Sequence, residues 1–221
     1  MFDRLIKLIG EDNLNKLLNT RVLLVGVGGV GGFALESLVR SGIGHITIVD
    51  GDTYEQSNIN RQIGSNSSNI GKYKVEEEVN RIKNINPSID IVGKIENIDA
   101  NNIVNYNDYD YIIDACDDIN AKILLIKLAI DNNIKIICSC GSGKRLDPSK
   151  VQVSRLDKTY NDPLAKVLRS KLKKEGITTK IPVIFSSELP INNDTTISSM
   201  ISVPATCGIY LANWVIKDII K

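Results

Sequence analysis

Histidine is nearly absent from this chain. His45 is the only one in 221 residues, at the start of a β-branched run with no nucleophile beside it. That argues against hydrolytic chemistry built on a nucleophile and a histidine base, and His45 reads as structural. Cysteine is sparse. Cys116, Cys138, Cys140 and Cys207 lie in or beside apolar runs, and none forms the C-x-x-C spacing of a tetrahedral zinc site. They read as buried thiols of a reducing compartment, which predicts no zinc and a cytoplasmic protein. The C-x-C of Cys138 and Cys140 reads as buried strand residues in preference to a redox or persulfide pair. An excess of one charge is also missing, since 27 basic side chains face 26 acidic ones for a net charge of +1. Composition therefore selects neither a nucleic acid nor a membrane partner, and only the distribution of charge can. No bilayer span is expected: the charge-free stretch from Met200 to Ile216 contains Pro204, is short for a membrane, and reads as a buried helix. The start, MFDRLIKLIGEDN, has charges every few residues and no signal-like apolar core.

With 43% hydrophobic and 24% charged residues, the composition is that of a globular domain able to bury its own core. Glu11 to Asn19 is amphipathic. The apolar run Val22 to Val25 ends in a glycine cluster, Gly26 to Gly32, that opens into FALESLVRSG: strand, glycine turn, helix. Strands are predicted at His45 to Val49, Ile89 to Ile95, Tyr111 to Ile113 and Ile134 to Cys138, and helices at Tyr73 to Ile85 and Ala121 to Ile130. This alternation predicts an α/β fold, a Rossmann-like, doubly wound, mostly parallel sheet with helices on both faces. After Gly141-Ser-Gly143 the character changes. Lys144 to Lys180 holds eleven Lys or Arg against four Asp or Glu, a local +7 that leaves −6 for the rest of the chain. We read residues 1–221 as one domain and 144–180 as its basic elaboration, a candidate RNA-binding region with Arg155, Lys158 and Arg169 as candidate phosphate contacts. The plain alternative is a solvated face.

Gly26, Gly28 and Gly31 satisfy G-x-G-x-x-G directly after a strand, with Gly29 between them. Backbone can approach a phosphate there, and the next helix offers it free N–H groups. Asp50 ends the following strand, where a carboxylate accepts from ribose hydroxyls. Up to this point an NAD-binding oxidoreductase fits equally well. The stretch after Asp50 separates the readings, because it supplies Asn58, Arg61, Gln62 and Lys74. A dinucleotide's pyrophosphate is held largely by backbone. A triphosphate carries more charge and calls for cations and a metal. Asp117, just past the strand YIID, is the candidate magnesium ligand. For each of these side chains the alternative is an ordinary loop charge or helix partner.

The motifs GVGGVG, VDGDTYEQSNINRQ, GKYKVE and DACDD, in that order, resemble the ThiF/MoeB/HesA family, which is similar in fold to ubiquitin-activating enzymes and adenylates a carboxylate with ATP. The resemblance implies a ThiF-type adenylating fold, with ATP and magnesium roles for Gly28, Asp50, Asn58, Arg61, Lys74 and Asp117. Arg4, in FDRLIKLIG, looks like the family's N-terminal arginine, which reaches the partner subunit's ATP. That implies a homodimer. The segments DPSKVQV, NDPLAKVLRSKLK, VIFSSELP and SVPATCGIYLA resemble the family's RNA-modifying branch. This implies that magnesium ATP activates the carboxylate of threonylcarbamoyladenosine in tRNA, with ring closure and loss of water. Two alternatives stay open: an activator of a ubiquitin-like sulfur-carrier protein and, less favoured, the NAD-type module. The resemblance also leaves open a sulfur-transfer protein as a partner.

Overall fold

The apolar run before the glycine cluster forms β1 (Arg21–Val25), and the strands around it decide where a ligand can sit. The computed structural model describes residues 1–178, 180–192 and 198–221, so residue 179 of the basic segment lies outside the described residues. Two short helices, α1 (Asp3–Ile9) and α2 (Glu11–Leu18), precede β1. After it come α3 (Gly31–Arg40), β2 (His45–Val49), α4 (Lys74–Ile85), β3 (Asp90–Lys94), β4 (Tyr111–Asp114), α5 (Ile119–Asp131) and β5 (Lys135–Ser139). The chain closes with β6 (Val151–Arg155), α6 (Pro163–Lys174), β7 (Pro182–Ser186) and α7 (Ser202–Ile219).

Among the described residues the sheet has seven strands in the order β3-β2-β1-β4-β5-β7-β6, parallel except for β6. The order reverses between β1 and β4. Loops leaving the carboxyl ends there diverge and leave a crevice. Side chains alternate along β1: Val22 and Leu24 join one apolar cluster under α3, α4 and α7, and Leu23 and Val25 join another under α5 and α6. This is the doubly wound sheet with helices on both faces that the alternation predicts.

The apolar C-terminal stretch is α7, which buries Val203, Cys207, Leu211 and Val215. It crosses α3 closely at Gly208, where a Cβ would stand 2.2 Å from the Val30 carbonyl oxygen. Among the described residues no helix is long and apolar enough to cross a membrane.

The basic segment contributes structure that charge counting does not anticipate. Its β6 pairs antiparallel with β7. Because β7 meets β5 only at Cys138↔Val183 and Ser139↔Ile184, it runs past the end of β5 to Ser186. Two further strand residues rise about 7 Å, so β6, β7 and the start of α6 form a wall above the carboxyl edge. Asp162 begins α6, its carboxylate accepting the Ala165 amide with Pro163 at the first helical position.

Candidate nucleotide site

The glycines after β1 divide into two kinds. Gly26 has φ +86°, and a Cβ on it would lie 2.8 Å from the Ala115 carbonyl oxygen; one on Gly31 would lie 1.8 Å from the Gly26 carbonyl oxygen. These two let the loop close on itself and on the turn after β4. Gly28 and Gly29 face outward: a Cβ at Gly28 would have ordinary contact, 3.7 Å, with Gln62 Nε2, and one at Gly29 would stand 3.5 Å from both Arg61 Cγ and Pro204 Cβ. The first turn of α3 follows with no side-chain cap; its Gly32 amide donates to the Gly28 carbonyl at 2.9 Å, and the positive end of its dipole faces an anion in the loop.

Asp50 ties the end of β2 to this loop. Its Oδ2 accepts the Val27 amide at 2.8 Å and its Oδ1 the Asp52 amide at 2.9 Å. Lys74 opens α4 with a nearly buried side chain, its ammonium 2.7 Å from Asp52 Oδ2 and 3.9 Å from Asp50 Oδ1. Asn58 is buried and caps its own turn, Oδ1 accepting the Glu55 amide at 3.1 Å. Arg61 donates from Nη1 to the Ser57 carbonyl at 2.8 Å and to Asn60 Oδ1 at 3.0 Å. Gln62 is buried, and its Oε1 has no hydrogen-bond partner. A buried acceptor left unmatched beside a glycine cradle calls for a donor, and a bound nucleotide or its water can supply one.

Beneath this segment a buried polar network holds the scaffold. Tyr54 donates to Glu78 Oε1 at 2.9 Å, and Arg81 binds Glu78 Oε2 at 2.9 Å and also Glu36. Burial raises the Glu78 carboxyl above its ordinary value, against the pull of Arg81. The network links α3 and α4 to the loop that carries Asn58, Arg61 and Gln62.

The structure thus brings Gly28, Gly29, Arg61 and Gln62 together, with Asp50 and Lys74 paired beside them. Asp117 is exposed, one residue beyond the Ala115–Cys116 peptide that meets Gly26. Arg4 is not brought to this site within the chain. It is exposed on α1, whose neighbouring Phe2 and Leu5 approach Gly42 beyond the far end of α3. Among the described residues no group of three or more His, Cys, Asp or Glu is arranged to hold a metal. Burial pushes all four thiols up, Cys207 to about 12, which disfavours the thiolate form.

The basic candidates are not equally available. Arg155 is engaged by Asp157 at 2.9 and 2.6 Å. Arg169 donates to the carbonyls of Leu156 and Thr159 at 3.2 and 3.0 Å, so it reads as a structural clamp. Lys158 is exposed, as are Lys166, Lys173 and Lys174 on α6. Two residues that the sequence does not single out hold the turn after β5. Buried Arg145 donates to the carbonyls of Gly141, Gly143 and Asn161 at 2.8, 3.0 and 3.0 Å, and Asp162 accepts the Gly141 amide at 2.9 Å. An Asp directly before Pro at a helix start was a legible signal for Asp162. Arg145 had none.

Comparison with known proteins extends this geometry. The ThiF family model matches residues 2–221. The tRNA threonylcarbamoyladenosine dehydratase of Bacillus subtilis (strain 168) is 38% identical, covering 96% of this chain and 92% of its own. The Escherichia coli (strain K12) protein of the same name is 35% identical over 88% of this chain and 76% of its own. The crystal structure of E. coli tRNA N6-threonylcarbamoyladenosine dehydratase in complex with ATP is 33% identical and superposes with a TM-score of 0.95, covering 99% of this chain and 93% of that one. From the glycine cradle after β1 to the last helix, the chain belongs to the ThiF family.

Proposed function

We propose that this chain is an ATP-dependent tRNA threonylcarbamoyladenosine dehydratase, which adenylates the carboxylate of the modified adenosine and promotes its cyclisation. The observation that carries the reading is the convergence of Gly28, Gly29, Arg61 and the unmatched Gln62 at the switch point, in a chain that matches an ATP-bound dehydratase over nearly its whole length.

The substrate carboxylate attacks the α-phosphate of ATP and pyrophosphate departs. A nitrogen of the same modification then attacks the acyl carbon, AMP leaves, and a ring closes with net loss of water. No enzyme nucleophile takes part, in keeping with thiols held protonated by burial. Arg61 turns from the neutral acceptors of Ser57 and Asn60 to phosphate oxygens, exchanging ordinary hydrogen bonds for charge-assisted ones. Lys74, and Arg4 from a partner subunit in a homodimer, balance the charge that develops on the phosphates. Gly26, Gly28, Gly29 and Gly31 shape the phosphate loop, Asp50 receives the ribose, and Asn58 and Gln62 complete the wall. The exposed Asp117 carboxylate suits a hard divalent cation and would hold magnesium, which supplies charge neutralisation at the phosphates.

The RNA is received along the outer face of α6, from the wall at its start to the amino edge of the sheet, where Lys158 and the end of α6 lie. Lys158, Lys166, Lys173 and Lys174 are exposed cations that meet it, while Arg155 and Arg169 are already engaged. A reducing cytoplasmic setting fits the four free thiols. A sulfur-transfer protein as partner is the remaining proposal about association.

The test is to incubate the protein with ATP, magnesium and threonylcarbamoylated tRNA and analyse the nucleosides by mass spectrometry. Loss of one water from the modified adenosine is expected. No loss, together with adenylation of the C-terminus of a ubiquitin-like sulfur carrier, would move the assignment to that alternative.

A further inference from the structure

Behind the crevice, one turn into α5, lies a lysine with no exposed side-chain surface. The Lys122 ammonium donates to Asp114 Oδ2 at 2.9 Å and to the Ser139 carbonyl at 2.8 Å, and the Asp114 carboxylate is equally buried. Asp114 ends β4 and Ser139 ends β5, so one ammonium pins two adjacent strand ends at the carboxyl edge.

The other carboxylate oxygen reaches forward. Asp114 Oδ1 accepts the Cys116 amide at 3.2 Å and the Cys116 thiol at 3.0 Å. The Ala115–Cys116 peptide it holds is the one against which Gly26 closes the glycine loop. Asp117 comes next, and after it Asp118 caps α5 through the amides of Asn120 and Ala121 at 2.6 and 3.3 Å. Asp117 is thus anchored on both sides while its own carboxylate is exposed.

Stability alone does not account for this pair. Burying two charges costs desolvation that their attraction only roughly repays, and an apolar pair of similar volume commonly does as well. Leu125, Ile126 and Cys138 already supply apolar packing in this cluster. An apolar pair cannot hold the Cys116 amide and the Ser139 carbonyl at once. We infer that Lys122 and Asp114 are positioning residues for the adenylation step, fixing the 114–118 turn so that Asp117 and the glycine loop keep one mutual geometry. Neither side chain touches substrate. The inference rests on the adenylation reading, since it assigns Asp117 a role in that step.

The experiment compares wild type with the double variant Asp114→Leu/Lys122→Met and, should that fail to fold, with Asp114→Asn/Lys122→Gln judged by the same criteria. Calorimetric ATP affinity should stay within about threefold, and KM for tRNA likewise, while kcat falls roughly 30-fold through misplacement of the turn. Amide exchange at residues 115–117 should quicken in the free protein, a readout independent of turnover. Adding Asp117→Asn to the pair variant should cost less than about threefold more, because the two changes act through one element and are not additive. A folded pair variant with kcat within threefold of wild type, or fully additive losses, would overturn the inference. A wild-type protein that removes no water from the modified tRNA would instead overturn the functional reading, leaving the exchange result to judge the turn alone.

Discussion

Replacing Gly28 or Gly31 with alanine should separate the two roles that a glycine-rich loop can play. At Gly31 the new methyl would lie 1.8 Å from the Gly26 carbonyl oxygen and 3.3 Å from Ala115 Cβ, with backbone as the immovable partner. The loop and the start of α3 must shift together, so Gly31→Ala should destabilise the fold by about 3 kcal/mol or more. At Gly28 the methyl would meet only Gln62, at 3.7 and 3.9 Å, which is ordinary contact. Gly28 has no positive φ to protect, so stability should change by no more than about 0.5 kcal/mol. The same methyl occupies the face that a phosphate must approach. Losing one backbone bond to a charged oxygen costs about 1.5 to 3 kcal/mol, which is roughly 10- to 150-fold in ATP affinity. Urea unfolding gives the first quantity and calorimetric titration with ATP the second. If Gly28→Ala binds ATP like wild type, the cradle is not the phosphate site; if Gly31→Ala unfolds at the wild-type midpoint, the packing argument is wrong.

The other predictions are smaller steps from the same geometry. Arg61→Ala should weaken ATP by about 1.5 to 3 kcal/mol, and NAD should bind far less well than ATP; the reverse order in calorimetry would restore the dinucleotide reading. Neutralising Lys166 or Lys173 should reduce the salt slope of tRNA affinity by about one for each phosphate that the lysine had neutralised, whereas Arg169→Ala should lower stability and leave the slope alone. Unchanged slopes for both lysines would mean a merely solvated helix face. Cys138, Cys140 and Cys207 should resist thiol reagents at pH 8 in the native protein and react after denaturation, since burial raises each thiol; rapid native labelling of any of these three would contradict that burial. Asp218 is held below its ordinary value, first by the hydrogen bond from Lys135, so its stabilisation is present above the unfolded pKa and lost as pH falls through the folded one. Asp218→Asn should therefore flatten the acid limb of stability, and an unchanged limb in pH-dependent unfolding would remove that assignment.

The features legible along the chain are local ones. A β-branched run, a glycine turn and an amphipathic helix specify β1 and α3 because their partners are a few residues away, and Asp50 is legible because a strand end puts a carboxylate beside the loop before it. The same holds for Arg61 and Lys74, cations that follow Asp50 within a short stretch and that the proposed function assigns to a triphosphate. Folding settles the rest, because it depends on contacts between distant segments. The edge strand β6 alternates only over Val151 to Ser154, with Val153 exposed, and pairing with β7 is what makes it a strand. A charge count treats Arg155 and Arg169 as free, yet Asp157 and the carbonyls of Leu156 and Thr159 claim them. Arg4 could be named by resemblance, but its place at the opposite edge is set by how α1 packs near Gly42. Lys122 looks like an ordinary helix lysine until the sheet brings Asp114 and the Ser139 carbonyl to it. A buried charge is tolerable only where several segments supply its partners, and that arrangement exists only in the folded chain.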